Sequence, residues 1–262
     1  MIVVSNIHNL GDFILCLPVL SGLVKKNKQK MVLVIHSSLR RFREIRELLL
    51  FQNLFDFVFF SDEILETAQS YIVAKNDQEI VRINAETFSL NDTSYAVSDF
   101  RPYYVQRYYE NFVNQYSINF EVDDDFVLNA PDYNLGFEEK IIVGDRNSPE
   151  LNPLIDLRRV PEPIKKSNQL SNENFHFLDY TKGLMTNCAI IKNSKKSFIS
   201  TFTGMGMIGD LLNKECIITW GEDLRNWVGY PIEYTYRMFF YANRKSKLVY
   251  INDLQTYLKA SE

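Results

Sequence analysis

The sequence predicts an α/β protein in which two Rossmann-like domains face one central cleft. Residues 1–5 form a short apolar run typical of a buried strand, a turn follows, and Asp12 opens an amphipathic helix. A polar stretch over residues 121–136 interrupts the alternation of strands and helices, which restarts with a strand at 140–144. Two alternating halves on either side of one polar stretch indicate two doubly wound domains.

The first half of the chain shows strand and helix patterns in turn. Apolar residues at helical spacing follow the first strand, namely Phe13, Leu17, Leu20 and Val24. The pattern next predicts a buried strand at 31–36, a helix from Ser37 or Ser38 to about residue 52, and a strand at 55–60. Weaker strands are predicted at 70–74 and 94–97, and a helix at 102–116 begins with Pro102.

The second half repeats the alternation and ends in a helix. After the strand at 140–144 we predict strands at 175–178, 197–200 and 216–220, and helices at 184–192, 204–213 and from Asn252 to about 260. The predicted domains are 1–125 and 138–262, joined by a linker at 126–137. The pattern leaves open whether the last helix packs back on the first domain.

Composition limits the class of protein. The chain has 262 residues, a net charge of −4 and three widely spaced cysteines in apolar segments. The negative charge disfavours wholesale electrostatic capture of nucleic acid. The cysteine pattern is typical of reduced, buried thiols in the cytoplasm and suggests neither a disulfide framework nor a metal site. The longest apolar stretch, residues 13–24, contains Pro18 and is too short to span a bilayer, and the first residues do not resemble a secretory signal.

Two strand-to-helix turns are the candidate sites of chemistry, because ligands of doubly wound sheets bind at the carboxyl ends of the strands. The first turn places Asp12 at a helix start, where the helix dipole also favours an acid for structural reasons alone. The second turn is residues 200–206, in which Gly204 and Gly206 allow close backbone approach. Free amides at that helix start, with the hydroxyls of Thr201 and Thr203, would form a seat for a pyrophosphate.

Both turns resemble the heptosyltransferase-like family of GT-B glycosyltransferases, which build lipopolysaccharide cores. Residues 5–18 are similar to the family's N-terminal pattern of a strand, a polar turn, Gly-Asp, an apolar helix and a proline. Residues 198–207, followed by 216–221 and Trp227, are similar to its donor segment. The resemblance covers both ends of the chain, and it implies a compact GT-B fold, a nucleotide-sugar donor as substrate, no metal and no cofactor.

The resemblance also implies a role for each matching residue. Asp12 matches the acidic residue proposed as the base that takes a proton from the acceptor hydroxyl. Thr203 and Gly204 match the pair that meets the donor diphosphate, and the neighbouring donor candidates are Thr201, Met205, Gly206, Lys182, Gly183 and the cation Arg146. The candidates for acceptor contacts are His8, Asn9, Gly11 and His36. For the two histidines and for Arg146 a structural or solvated role is the alternative.

Two residues depart from the family pattern on the donor side. Phe202 stands where the family has an aspartate, and Met207 where it has a histidine. A polar contact to the donor and a candidate charge partner are therefore both missing. Either the donor differs from the family's, or the donor site is degenerate.

A third feature is the basic segment that contains Arg40, Arg41, Arg43 and Arg46. It is either a solvated helix face paired with Glu44 and Glu47, or a docking surface for phosphate groups.

The function predicted first is transfer of a sugar from a nucleotide sugar to a hydroxyl of a cell-envelope saccharide of the lipopolysaccharide or capsule type. Such an enzyme would be cytoplasmic, with peripheral membrane contact as an option and no stable protein partner. One alternative is a phage-type enzyme that glycosylates hydroxymethylated DNA bases. The other is a non-catalytic protein that binds nucleotide sugars or glycans.

Overall fold

Two parallel sheets organise the chain in this computed structural model, which describes residues 1–63, 80–83, 100–133, 135–144, 175–220, 231–250 and 253–260. The first sheet has four strands in the order β3-β2-β1-β4, and the second has five in the order β6-β5-β7-β8-β9. Every strand pair in both sheets is parallel. The α/β architecture predicted from the sequence is confirmed.

The first lobe contains the elements up to α4, numbered over the described residues. They are β1 (Ile2–Ser5), α1 (Leu10–Ile14), α2 (Leu17–Asn27), β2 (Met31–Ile35), a 3₁₀ helix (Ser37–Arg41), α3 (Ile45–Phe51), β3 (Phe55–Phe60), β4 (Ile80–Ile83) and α4 (Tyr103–Tyr116). All five residues of β2 are buried, as expected of an inner strand covered on both faces.

The second lobe begins after the polar stretch. Its elements are β5 (Ile141–Val143), β6 (Phe175–Phe177), a 3₁₀ helix (Tyr180–Lys182), α5 (Leu184–Asn193), β7 (Phe198–Ser200), α6 (Gly204–Leu211), β8 (Cys216–Trp220), α7 (Ile232–Phe239), β9 (Lys247–Tyr250) and α8 (Leu254–Ala260). Leu254 and Leu258 of α8 belong to an apolar cluster with Ile199 and Ile217, so the last helix packs on the second sheet.

The first predicted helix is two helices, which corrects its start and its continuity. Helix α1 begins at Leu10, two residues before Asp12, with Asn9 in the N-cap position. It ends at Ile14, and α2 then begins with Pro18 in its first turn. Proline lacks an amide hydrogen, and its ring collides with the carbonyl four residues earlier, so the chain breaks at this point.

The helix predicted from Ser37 or Ser38 to about residue 52 is also divided. A 3₁₀ helix ends at Arg41, and α3 begins only at Ile45, after Glu44 with a left-handed φ of 66°. The N-cap of the 3₁₀ helix is His36, whose Nδ1 accepts a hydrogen bond from the Ser38 amide at 3.1 Å. The imidazole therefore takes the capping role that the sequence suggested for a serine hydroxyl.

Four elements were not predicted, and three predicted secondary-structure features lie outside the described residues. The unpredicted elements are β4, the 3₁₀ helix at Tyr180–Lys182, α7 and β9. The weak strands at 70–74 and 94–97 and the cap at Asn252 fall on residues that the structure does not describe. The predicted linker 126–137 and the domain bounds stay predictions, although part of that segment is packed: the Leu128 amide donates to the Leu211 carbonyl at 2.8 Å.

All three cysteines are buried free thiols, as the sequence suggested. Among the described helices none is both long and apolar enough to cross a membrane.

Candidate active site

The two strand-to-helix turns meet directly, because the start of α1 packs against the start of α6. A Cβ atom on Gly11 would lie 2.7 Å from the Met207 sulfur and 3.3 Å from the Gly204 Cα. A Cβ atom on Gly204 would lie 3.0 Å from the Gly11 nitrogen. Backbone therefore lies against backbone at this crossing, and the absence of a side chain at both glycines permits the close approach.

Asp12 lies in the first turn of α1, half-buried, beside this crossing. Its Oδ2 accepts a hydrogen bond from Asn9 Nδ2 at 3.2 Å. Burial raises the pKa of the Asp12 carboxyl, and the hydrogen bond from Asn9 opposes that rise without cancelling it. A carboxylate with a raised pKa binds a proton more readily, which is what a general base at near-neutral pH requires.

The start of α6 carries amides that no described residue satisfies. Thr203 is the N-cap, and its Oγ1 accepts from the Gly206 amide at 3.3 Å, while its own amide donates to the Thr201 carbonyl at 2.7 Å. Within the described part of the chain the amides of Gly204 and Met205 have no acceptor. Such amides, at the positive end of the helix dipole, suit an anionic oxygen.

Gly206, Thr201 and Thr203 of this turn also have structural roles. A Cβ atom on Gly206 would lie 2.6 Å from the Thr201 carbonyl oxygen, so Gly206 is required by the turn itself. Thr201 is buried, and the hydroxyls of Ser200 and Thr203 lie 3.3 Å apart. Of the predicted donor residues in this segment, the amides of Gly204 and Met205 are therefore the groups still available for a ligand.

The two residues that depart from the family pattern are both buried side chains. Phe202 makes edge-to-face contacts with three aromatic rings of the α7 region, at centroid distances of 6.4 Å to Tyr236, 6.5 Å to Phe239 and 5.7 Å to Phe240. Met207 fills the space beside Gly11. Both positions therefore belong to the packing between and around the lobes and supply no charge to the donor side.

The acceptor-side candidates His8 and His36 lie together, at the ends of β1 and β2. Their ring centroids are 3.7 Å apart, and His36 Nδ1 lies 2.9 Å from the Ser38 hydroxyl. Burial, then the neighbouring His8, lower the pKa of His36, and Asp62 acts in the opposite direction. Asn9 and Gly11 belong to the same turn, so the four acceptor candidates are brought to one edge of the first sheet beside Asp12.

Two of the remaining donor candidates, Lys182 and Gly183, make other contacts. Lys182 Nζ lies 5.6 Å from the centre of the Phe137 ring, in a cation–π contact. Gly183 has a φ of 97° and is covered by the Glu44 side chain of the first lobe. Arg146 is outside the described residues.

Two of the four arginines of the basic segment are paired, but with partners that were not predicted. Arg40 lies 2.7 Å from Asp62, and Arg46 lies 2.6 Å from Glu63. Both acids follow β3, whereas the expected partners were Glu44 and Glu47. Arg41 donates to the His8 carbonyl at 3.4 Å, beside the histidine pair.

Sequence reasoning missed an aromatic stack beside Asp12. Tyr104 of α4 stacks on Phe239 of α7, with centroids 4.8 Å apart and planes 17° apart. Burial, then the charge of Asp12, raise the pKa of the Tyr104 phenol, so the two side chains lie near each other. A helix was predicted at 102–116, but nothing local in the sequence singles out Tyr104.

Within the described residues, no three His, Cys, Asp or Glu side chains come together in a way that could hold a metal ion.

Comparisons with known proteins agree with this architecture at the level of the fold. No protein-family model and no curated protein sequence matches the chain. Among solved structures, it is similar to the E. coli heptosyltransferase WaaC with ADP, at 10% identity and a TM-score of 0.55, over 100% of this chain and 99% of that one. It is also similar to the E. coli ADP-heptose LPS heptosyltransferase II, at 11% identity and a TM-score of 0.56, over 99% of each chain.

A third similar structure is the glycosyl transferase family 9 protein from Veillonella parvula, at 14% identity and a TM-score of 0.54, over 99% of this chain and 88% of that one. The likeness extends over essentially the whole chain at very low identity. The chain therefore has the GT-B, heptosyltransferase-like fold, built on two parallel sheets with helices.

Proposed function

We propose that this protein is a glycosyltransferase that moves a sugar from a nucleotide sugar to an acceptor hydroxyl. One observation carries the proposal: Asp12 of the first lobe lies in the turn that packs directly on the start of α6, where two amides are free within the described residues. A base for the acceptor and a seat for the leaving diphosphate are the two groups that such a transfer requires.

In this mechanism the acceptor hydroxyl approaches from the side of the first lobe. Asp12 takes its proton as the oxygen attacks the anomeric carbon of the donor. The bond from that carbon to the diphosphate oxygen breaks, and the amides of Gly204 and Met205 stabilise the charge that develops on the leaving group. Asn9 keeps the Asp12 carboxylate oriented through its hydrogen bond.

The proposed donor is a nucleotide diphosphate sugar, and the proposed acceptor is a cell-envelope saccharide. Support for the donor comes from the fold it shares with a heptosyltransferase whose structure contains ADP. The acceptor rests on the resemblance of residues 5–18 to lipopolysaccharide-core enzymes. We extend the proposal to a cytoplasmic enzyme that can meet its acceptor at a membrane surface.

A non-catalytic nucleotide-sugar or glycan-binding protein is the second candidate, and a specific observation favours it. Phe202 and Met207 are buried and apolar at two positions where the family places polar side chains. A protein with this donor side would bind a nucleotide sugar through backbone amides and turn it over slowly or not at all.

The DNA-modifying alternative has less support. Arg40 and Arg46 of the basic segment are neutralised by Asp62 and Glu63, which leaves less positive charge for a phosphate backbone.

The deciding experiment measures transfer and slow hydrolysis with a panel of nucleotide sugars, for the wild type and for Asp12→Asn. An enzyme of the proposed kind consumes at least one donor, and the variant loses that activity while it still binds ADP. Binding of a donor with no turnover in the wild type would establish the non-catalytic candidate instead. Full activity of Asp12→Asn would remove Asp12 from the mechanism.

A further inference from the structure

A second contact joins the two lobes, away from the Gly11–Gly204 crossing. It connects the break before α3 in the first lobe to the start of α5 in the second. The Leu184 amide donates to the Arg43 carbonyl at 2.7 Å, and Arg43 Nη1 donates to the Thr181 carbonyl at 3.1 Å. Glu44 Oε2 accepts from both the amide and the hydroxyl of Thr186, at 3.0 and 3.1 Å. Four hydrogen bonds thus cross from one lobe to the other within a few residues.

The backbone is special on both sides of this contact. Glu44 has a φ of 66°, in the left-handed region that a side chain disfavours. Gly183 has a φ of 97°, and a Cβ atom there would lie 2.3 Å from the Glu44 Cδ. A strained residue is therefore held in place by a partner that only glycine can provide, and such strain persists where the surrounding structure imposes it.

The charge of Glu44 is balanced by the helix it contacts. Within the described residues no lysine or arginine forms an ion pair with this carboxylate. Instead it lies on the first turn of α5, where the amides of a ten-residue helix favour a negative charge. Hydrogen bonds of this kind to a half-exposed carboxylate exchange readily with water, so the contact is suited to opening and closing.

If the protein has the function proposed above, the Gly11–Gly204 crossing is the reason why the contact at Glu44 must open. The backbones of the two turns are in van der Waals contact, which leaves no room for a sugar ring between Gly11 and Gly204. Arg244 of the second lobe donates to the carbonyls of Asp124 at 3.2 Å and Phe126 at 2.7 Å, so the second lobe is also held to the polar stretch between the lobes. The contact at Glu44 crosses between the lobes as well, so it must loosen if the two turns separate by a rigid movement of one lobe against the other.

We propose that Arg43 and Glu44 form a latch between the lobes, which closes onto the first turn of α5 and must release to admit and discharge the nucleotide sugar. Glu44 is then a positioning residue, because it sets the approach of Asp12 to the donor seat without touching the reacting atoms. The inference rests on the proposed function for the identity of the ligand but not for the existence of the latch.

Amide hydrogen exchange of the unliganded protein tests the latch itself. We expect Glu44→Gln to speed exchange in the segments 184–187 and 204–206 by about threefold to tenfold, with exchange in β1 and β7 unchanged. Thr186→Val, which removes one of the four bonds, should have a smaller effect in the same segments. Glu47→Gln is the matched control, since Glu47 is an exposed acid on the same helix, α3. Unchanged exchange in Glu44→Gln, or an equal increase throughout the sheets, overturns the proposal.

The kinetics of ADP binding test the role of the latch in admitting and releasing the nucleotide. We expect both association and dissociation of ADP to become faster in Glu44→Gln, because opening of the latch then limits the passage of the nucleotide less than it does in the wild type. Unchanged rates for ADP in a variant with accelerated exchange would make the contact merely structural and overturn the role as a latch. If the wild type binds no ADP, the proposed function fails instead, and the exchange experiment still decides whether the contact opens locally.

Discussion

Asn9 donates its side-chain amide to Asp12 across one turn, at 3.2 Å, and this is the hydrogen bond that limits the rise of the Asp12 pKa. Two opposing effects thus set the Asp12 pKa: burial favours the protonated carboxyl, and the amide of Asn9 favours the carboxylate.

Asn9→Ala should move the acid limb of the activity profile to higher pH. The substitution removes the group that lowers the Asp12 pKa, so the base is protonated over a wider range. A profile of kcat/KM against pH for the wild type and the variant measures the shift. The control is thermal unfolding: because Asn9 is exposed, the two proteins should unfold at the same temperature. A limb at the same or a lower pH would contradict the role given to Asn9.

Asp12→Asn should separate catalysis from stability. We expect kcat to fall roughly 10²- to 10⁴-fold, the range typical of a lost general base. The folded protein should be at least as stable at pH 7, because burial raises the pKa of Asp12 and the charged form is therefore disfavoured in the folded state. Thermal unfolding at pH 7 checks the second half of the prediction, and a clearly lower midpoint would contradict it.

Gly11→Ala should destabilise the protein by about 1–3 kcal/mol, the usual cost of overpacking. The added methyl group would meet the Met207 sulfur at 2.7 Å. In a Met207→Ala background the same change should cost roughly 1 kcal/mol less, since that side chain no longer obstructs the methyl group. Urea unfolding of the wild type, both single variants and the double variant gives the coupling. Additive effects would show that Met207 is not what makes Gly11 necessary.

Asp210 should make stability fall as pH rises. This carboxyl is buried on α6, bonded to Ser246 and to the Tyr241 amide, and burial raises its pKa from 3.8 to about 6. The folded state therefore binds the proton more tightly than the unfolded chain. The contribution of this carboxyl to the free energy of unfolding is complete below pH 3.8 and is lost as pH rises through 6. The loss amounts to roughly 3 kcal/mol.

The measurement for Asp210 is the difference in unfolding free energy between the wild type and Asp210→Asn at several values between pH 4 and pH 7. The other carboxyls titrate in both proteins, so their contribution cancels in this difference. As pH rises, the variant should become more stable relative to the wild type. A difference that does not vary with pH would contradict the assignment.

The elements that the sequence predicted well are those with strong local signals. Strand β2 is a continuous apolar run, and its five residues are buried in the middle of a parallel sheet. The break before α2 had a signal in Pro18 that the apolar spacing of residues 13–24 concealed. The break at Glu44 had none, because its left-handed backbone is held by Gly183 and Thr186, some 140 residues further along the chain.

The edge strand β9 and the aromatic stack beside Asp12 were harder to predict, because neither has a strong local signal in the sequence. Strand β9 has four residues, begins with the exposed Lys247 and lies at the edge of the second sheet, so its local pattern is weak. The place of each turn at the carboxyl edge of its own sheet could be predicted from the rule for parallel strands, and the resemblance to two-domain GT-B enzymes suggested that the two edges face each other. The stack of Tyr104 on Phe239 could not, since it depends on how two distant helices cross.

The crossing of Gly11 and Gly204 has a consequence for how this chain can evolve. A Cβ atom at Gly204 would meet the Gly11 nitrogen at 3.0 Å, and one at Gly11 would meet first the Met207 sulfur at 2.7 Å. A smaller residue at position 207 would therefore make room for a side chain at position 11, so substitutions at these two positions are coupled. Because Met207 also lies where the two lobes meet, a change of residue there bears on both the donor side and the contact between the two domains.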